Sequence, residues 1–534
     1  MVTRLLNSIR MANLSRLPHS QAIELIGFKY GRIRGRLRPE IAPVIARWFL
    51  GQVDSVYLKE NRARGIWRLP GIYIKQFKHP GFWQNLRLLF RSSKARSEYR
   101  ALVSLHKRGL PVPIPLGFME EKGPLSFQTS YLITEELKDA IPLRELFLRS
   151  QVAPGIRFKI LEELAGLVVR MHRARLCHPD LHLGNILIQF ADKGPRLYIM
   201  DLHRFKTGRL LGPRRISTLG FIWLSMYGVL SSADRVRFLR YYAQKAGERF
   251  CPALVRRVHK SFLIQRERHY RSRAKRCWVT SSKFEVDKGV CRRRDARGIV
   301  FPSVSALERE GELIKGRRGG ALFRWQERYF VKVFSSQGLK RLLESFLWGP
   351  AERIWYNAHA LGLRGVPTPS LYAFRRGTES MLIGQWIQQS LSCYHYVIGP
   401  LASEGTSGLR RFIEGLAIFV RGLHEKGVYH KDLKATNLLI QQDAQGARFY
   451  LLDIDRVSFK VKLSKRSRLY NIAQLNASVP GGVISRTDRL RFLRTYMGGI
   501  RYSKDDLRRI IKWSIARSHF WPVGAVKSGL GDYI

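Results

Sequence analysis

Two short stretches alternate apolar and polar positions with the two-residue period of a strand: Ile72-Tyr73-Ile74-Lys75-Gln76-Phe77 and Tyr329-Phe330-Val331-Lys332-Val333-Phe334. Each carries one lysine. Longer stretches repeat at helical spacing. Ile160, Leu161, Leu164, Leu167, Val168 and Met171 give an inward face to a predicted helix over 156–175. Phe412, Ile413, Leu416, Phe419, Val420 and Leu423 do the same over 409–426. The segment SEYRALVSLHKRG also reads as helix, with Leu102 and Leu105 on one face. Residues 216–233 carry no charge and approach the length needed to cross a bilayer. Small polar residues (Ser217, Thr218, Ser225, Ser231, Ser232) interrupt them, and a buried helix followed by a turn is predicted.

The pattern occurs twice. His178-Pro179-Asp180-Leu181-His182-Leu183-Gly184-Asn185 precedes an apolar strand, as does His430-Lys431-Asp432-Leu433-Lys434-Ala435-Thr436-Asn437. Both read H-x-D-L-x-x-x-N. A second aspartate follows each, Asp201 in YIMDLHRF and Asp453 in YLLDIDRV, with Arg204 and Arg456 behind them. RGLPVP at 108–113 matches RGVPTP at 364–369, and the run from Asp234 to Arg240 matches that from Asp488 to Arg494. Such ordered self-similarity marks a tandem duplication. The second copy of the uncharged stretch, NIAQLNASVPGGVIS at 471–485, is polar and contains Pro480. Homologous positions would not span a membrane in one copy alone, so neither is expected to.

Each copy holds the residue types that phosphoryl transfer from ATP requires: a lysine on the phosphates, a glutamate to hold it, metal-binding Asp and Asn, and a carboxylate beside the attacking hydroxyl. Lys75 and Glu98 are the predicted strand–helix ion pair of copy one. Lys332 and Glu352 are that of copy two, with Glu344 as the alternative partner. Asp180 and Asp432 are the candidate catalytic carboxylates. Asn185 with Asp201, and Asn437 with Asp453, are the candidate Mg²⁺ ligands, since a small hard cation takes oxygen donors and lets substrate phosphates complete its shell. Lys434 stands two residues after Asp432, where a fixed charge would neutralise the transferring phosphate; copy one has His182 there. Gly316, Gly319 and Gly320 lie where a phosphate-covering loop is expected in copy two, against only Gly65 and Gly71 in copy one. On this count copy two is expected to be at least as competent as copy one. The fold expected is α+β, two tandem protein-kinase-like bilobal domains, each with a β-rich N-lobe and a helical C-lobe.

HPDLHLGNIL, MDLHRF, SEYRALVSLHKRGLPVP and DRVRFLRYY, repeated as HKDLKATNLL, LDIDRVSF, AERIWYNAHALGLRGVPTP and DRLRFLRTY, resemble the bacterial lipopolysaccharide core kinases that act on heptose or Kdo. The resemblance covers roughly residues 50–250 and 285–520. It implies that Asp180 and Asp432 are catalytic and that Asp201 and Asp453 bind metal. It further implies a cytoplasmic enzyme, peripheral at the inner membrane, that phosphorylates a lipopolysaccharide core sugar or similar glycolipid precursor with ATP. A protein or small-molecule kinase, or a non-catalytic pseudokinase scaffold, is the alternative that the fold alone leaves open.

Charge sharpens the acceptor class. Ninety-five Lys and Arg against 40 Asp and Glu give a formal net charge of +55. Such a field favours an anionic glycolipid or saccharide and an anionic membrane surface. Nucleic acid is disfavoured, because the aromatics sit in apolar strands and helices and not on an exposed basic platform. Five dispersed cysteines without a C-x-x-C pair argue against zinc and against a disulfide framework. The opening residues MVTRLLNSIRMANLSRLPHS lack the apolar core of a secretory signal. The expected layout is a basic N-terminal extension at 1–48, a kinase-like domain at 49–264, a basic linker at 265–284 and a second kinase-like domain at 285–534.

Overall fold

The computed structural model describes residues 24–61, 64–78, 92–122, 127–149, 152–177, 181–192, 194–201, 206–207, 212–317, 320–335, 349–377, 379–443, 446–479, 484–498 and 503–518. The chain divides into two compact units, Met1–Gln265 and Arg266–Ile534, the division falling inside helix Pro252–Ala274.

In the first unit, strands β1 (Ile26–Tyr30), β2 (Ile33–Leu37), β3 (Val56–Asn61), β4 (Arg64–Leu69), β5 (Ile72–Lys78), β6 (Pro115–Lys122) and β7 (Phe127–Glu135) form an antiparallel sheet ordered β1-β2-β6-β7-β5-β4-β3. Strands β8 (Phe284–Asp287), β9 (Val290–Arg293), β10 (Glu312–Arg317), β11 (Gly320–Trp325), β12 (Tyr329–Ser335), β13 (Leu371–Arg375) and β14 (Glu379–Gln385) form the sheet of the second unit, ordered β8-β9-β13-β14-β12-β11-β10. The two orders are the same. The duplication extends to an irregularity: the β3–β4 register shifts between Tyr57 and Lys59, and the β10–β11 register between Leu313 and Lys315. Each sheet is followed by a helical half, giving two α+β bilobal units.

Two expectations about the layout do not hold. Beyond residue 24 the supposed N-terminal extension belongs to the first unit. The β1–β2 hairpin pairs with β6, and helix Ala42–Phe49 buries Ile45 in a core shared with Leu37, Ile72, Ile74 and Ile133. Its basic residues hid an edge hairpin whose outer face is wet. The supposed linker at 265–284 is, from Arg266 on, part of the second unit. Glu267 is buried against Arg364 at 2.7 Å, and the Trp355 indole donates to the Cys277 carbonyl at 3.3 Å. Of the basic run, Arg268, Arg271, Arg273, Lys275 and Arg276 remain exposed. The neighbouring cluster at 291–298 is largely engaged internally: Arg293 binds Asp295, Arg294 donates to the Ser281 carbonyl at 2.6 Å and Arg297 pairs with Glu285 at 3.3 Å.

The helical halves follow the sequence pattern. Helix Pro154–Arg173 buries Ile160, Leu161, Leu164, Leu167, Val168 and Met171. Helix Gly405–Glu425 buries Phe412, Ile413, Leu416, Val420 and Leu423, with Phe419 packed at the margin. The uncharged stretch forms helix Gly212–Met226 and then a turn. Among the described residues no helix is long and apolar enough to cross a membrane. Helices Ser232–Ala246 and Arg486–Met497 both open with a capping box, Ser231 with Asp234 and Ser485 with Asp488, and both close on a left-handed glycine, Gly247 and Gly498. Each is tied to the long helix of its unit by a buried histidine. His172 Nδ1 lies 2.9 Å from the Tyr242 hydroxyl, and His424 Nδ1 lies 2.7 Å from the Tyr496 hydroxyl.

Burial holds these histidines neutral, His172 pushed down to about 4 and His424 to about 3. Both fall below the ordinary 6.5, so the unfolded chain binds protons that the folded chain refuses. Their contribution is complete above the unfolded value and is lost as pH falls through the window below it. Thermal unfolding measured from about pH 7 to about pH 5 should show a falling Tm, and His424→Gln should make that slope shallower. A slope unchanged by the substitution would contradict the buried neutral assignment.

Candidate active site

In the first unit, β5 presents Lys75 between two carboxylates. Its Nζ lies 2.9 and 3.1 Å from the Glu98 oxygens and 2.9 Å from Asp201 Oδ1. Glu98 is 3% exposed, on helix Lys94–Lys107. That helix starts at a Ser93 cap, whose hydroxyl accepts the Arg96 N–H at 3.1 Å. Arg64, the first residue of β4, donates to Asp201 Oδ2 at 3.3 Å. Asp201 has φ of +57°, the left-handed region that non-glycine residues rarely enter and that Asp tolerates better than most. Such outliers concentrate where the surrounding structure fixes a functional group. The Met200 N–H donates to the Asn185 carbonyl at 2.8 Å, which brings the backbones of Asn185 and Asp201 side by side. His182 Nδ1 accepts the Gly184 N–H at 3.1 Å and so serves the turn that ends at Asn185. Asp180, His178 and Arg204 lie outside the described residues.

The second unit repeats part of this. Lys332 is on β12, its Nζ 5.3 Å from the Phe334 ring centroid, as Lys75 Nζ is 5.0 Å from that of Phe77. Asp453 repeats the left-handed backbone at φ of +50°, and the Leu452 N–H donates to the Asn437 carbonyl at 2.9 Å. The predicted Lys332–Glu352 pair is not formed among the described residues. Arg376 Nε donates to Glu352 at 2.8 Å instead. The cause is register. Helices Lys94–Lys107 and Pro350–Leu363 begin 256 residues apart, at 94 and 350, which puts Ile354 where the first unit has Glu98. Glu352 stands two residues earlier, about 200° around the helix, and cannot face the same way. Glu344, the alternative partner, lies outside the described residues.

The loop of the second unit is held by a dense polar network. The Asp432 N–H donates to His430 Nδ1 at 3.1 Å, so the ring hydrogen sits on Nε2 and goes to the Leu452 carbonyl at 3.0 Å. Burial pushes the His430 pKa down, which keeps that neutral tautomer. Asn437 Nδ2 donates to the Asp432 carbonyl at 2.9 Å. The Asp432 carboxylate lies 3.3 Å from Lys434 Nζ and 3.6 Å from Arg456. Underneath runs helix Lys465–Ala477. Asn471 donates to the His430 carbonyl at 2.6 Å, Gln474 donates to the Lys431 carbonyl at 2.8 Å, and Ser478 accepts the Ala435 N–H at 2.8 Å. Asn471 Oδ1 also lies 3.2 Å from His424 Nε2. The first unit fills the matching helix with Leu219, Ile222 and Trp223, and among the described residues His172 Nε2 has no partner. This is why NIAQLNAS is polar where its counterpart is apolar, a signal visible in the sequence but not read from it. Arg64 and Arg376, by contrast, had no sequence signal.

Two of the glycines are fixed by close contacts within the sheets. Gly320 has φ of +144°, and a Cβ there would stand 2.1 Å from the Val333 carbonyl oxygen. A Cβ on Gly65 would stand 2.7 Å from the Trp67 ring. Gly320 answers to strand pairing and Gly65 to the indole packed over it. Gly319 lies outside the described residues.

The donor sets suit a hard cation only in part. Each unit offers one Asp and one Asn, and among the described residues no group of three or more His, Cys, Asp or Glu could hold a metal.

Comparison with known proteins agrees with this architecture. The lipopolysaccharide kinase (Kdo/WaaP) family matches residues 60–242 and 396–496, over half of the chain. The first stretch includes Lys75, Glu98, Asn185 and Asp201. The second includes Asp432, Asn437 and Asp453 and begins after Lys332 and Glu352. A 3-deoxy-D-manno-octulosonic acid kinase of Pasteurella multocida is 31% identical over 147 residues, which cover 26% of this chain and 59% of that one. The lipopolysaccharide core heptose(I) kinase WaaP of Pseudomonas aeruginosa is 30% identical over 162 residues, covering 28% and 60%. The matched stretch thus spans less than two thirds of either relative. A solved structure of WaaP in complex with acyl carrier protein shares 25% identity, with a TM-score of 0.33 over 40% of this chain and 91% of that chain. The family model matches over half of a chain whose duplicated fold and clamped lysine fit it, and the chain belongs to the lipopolysaccharide kinase (Kdo/WaaP) family.

Proposed function

We propose that this protein transfers the γ-phosphoryl group of ATP to a hydroxyl of a lipopolysaccharide core sugar or similar glycolipid precursor. The observation that carries the reading is the clamp on Lys75, one ammonium between the Glu98 and Asp201 carboxylates. In phosphoryl transfer the protein contributes position and charge more than covalent chemistry. Lys75 holds the phosphates, and Glu98 holds Lys75. Asp180 orients the acceptor hydroxyl and takes its proton as its oxygen bonds to phosphorus and the bond to ADP breaks, and Asp432 is its counterpart in the repeat. Asn185 and Asp201 are the groups that would hold Mg²⁺, which when bound neutralises charge on the β- and γ-phosphates, and Asn437 and Asp453 are their counterparts in the repeat. Lys434 adds a fixed positive charge beside Asp432, at 3.3 Å.

The acceptor class rests on the family and on charge. A formal +55, with Arg268, Arg271, Arg273, Lys275 and Arg276 exposed along one short run, favours a polyanionic acceptor and peripheral attachment to the anionic inner membrane from the cytoplasm.

Two measurements test this. Replacing Asp180 and Asp432 together by Ala should abolish transfer to lipopolysaccharide precursors while the melting temperature stays within a few degrees of the parent's. Wild-type turnover in the folded double variant would refute the assignment. Running protein and aminoglycoside acceptors alongside decides the substrate class. Co-sedimentation with vesicles should depend on anionic lipid, each basic contact being worth about 1 kcal/mol. It should fade as salt approaches about 1 M, where the Debye length falls to roughly 3 Å. Equal binding to neutral vesicles would rule out electrostatic attachment.

A further inference from the structure

The two units are alike in strand order, bulge, capping boxes and loop sequence, so the positions where they differ carry weight. Four groups meet at the nucleotide side of the first unit: Lys75, Glu98, Asp201 and Arg64. The second unit keeps the lysine and the aspartate, as Lys332 and Asp453. Among the described residues it does not repeat the other two. Ile354, 7% exposed, fills the register position of Glu98. Gly320, the first residue of β11, fills that of Arg64, the first residue of β4. The nearest acid on the helix, Glu352, is taken by Arg376 at 2.8 Å. That arginine directly follows β13 and is itself positioned, its N–H donating to the Gly289 carbonyl at 2.9 Å.

We infer that the units are functionally unequal: the first holds Mg-ATP and transfers its phosphoryl group, and the second is a non-transferring copy without a working nucleotide clamp. The inference rests on the kinase reading above and assigns that activity to one site. The physical reason is that the strand lysine needs its helix glutamate in place before it can hold the phosphates productively. A buried isoleucine offers the ammonium neither charge nor a hydrogen bond. The sequence had favoured the second unit, because of Lys434 and of glycines placed where a phosphate-covering loop is expected. Lys434 stands beside Asp432, and neither it nor the glycines replace the glutamate that holds the strand lysine. The family match agrees, since in the second unit it begins at residue 396 and so leaves out the sheet and the helix that would bear the clamp.

The test uses the full chain with Lys75→Met and, separately, Glu98→Gln. Two readouts are taken: binding of a fluorescent ATP analogue with Mg²⁺, and ATP turnover. The parent should show one tight nucleotide site. Lys75→Met should weaken it by about tenfold or more and cut turnover by about 100-fold, although the second unit is untouched. Glu98→Gln removes the charge but keeps the shape, and should lower turnover in the same direction with an unchanged melting temperature. Two equivalent nucleotide sites in the parent, with one surviving Lys75→Met, would overturn the inference. So would a Lys75→Met protein that keeps a third or more of its turnover. If the parent binds one nucleotide but phosphorylates no saccharide, the acceptor reading fails and the inequality of the two nucleotide sites stands.

Discussion

One ammonium organises the nucleotide side of the first unit. Lys75 Nζ joins three pieces of chain that are far apart in sequence: its own strand, the helix that carries Glu98 and the segment after the catalytic loop that carries Asp201. Two carboxylates converging on one site would repel each other, and burying Glu98 alone would be costly. The lysine, joined by Arg64 at Asp201, makes the arrangement tolerable. Under the proposed function, Asp201 would hold Mg²⁺ and Lys75, paired with Glu98, would hold the phosphates.

The second unit meets the same fold requirement by other means. Where the first unit packs apolar residues under its loop, the second inserts Asn471 and Gln474 and fixes the loop through its backbone carbonyls. Where the first unit pairs its helix with a strand lysine, the second pairs Glu352 with Arg376 from beyond β13. Both solutions leave few buried polar groups unmatched, which is the condition a duplicated core must satisfy after its residues diverge.

The large positive charge is spread over unequal roles. Arg364 is nearly inaccessible and is held by Glu267 at 2.7 Å, with Tyr270 and Phe459 flanking its guanidinium. Breaking such a pair by removing one partner costs about 3–5 kcal/mol, because the other charge stays buried and unpaired. Other arginines of the same region reach solvent and add to the field that a polyanion would meet. Net charge therefore overstates the binding surface, and individual burial separates the structural arginines from the available ones.

The sequence alone determined the duplication, the strand lysines, the long helices with their inward faces and the ordered H-x-D-L-x-x-x-N and Asp pairs. These are local patterns, or repeats of them, and periodicity and spacing express them directly. It also pointed to the Lys75–Glu98 pair, because strand, spacing and helix agree there. Tertiary structure decided what depends on angle and register. The basic N-terminal residues conceal an edge hairpin, because an edge strand needs only part of one face to be apolar. The basic run after residue 265 buries Arg266 and Glu267, which composition cannot distinguish from solvated charge. Glu352 satisfied the motif by residue type and approximate distance, yet two positions along a helix turn a side chain to the far side. The partner of a charge is fixed by the direction in which its backbone presents it, and only the folded chain supplies that direction.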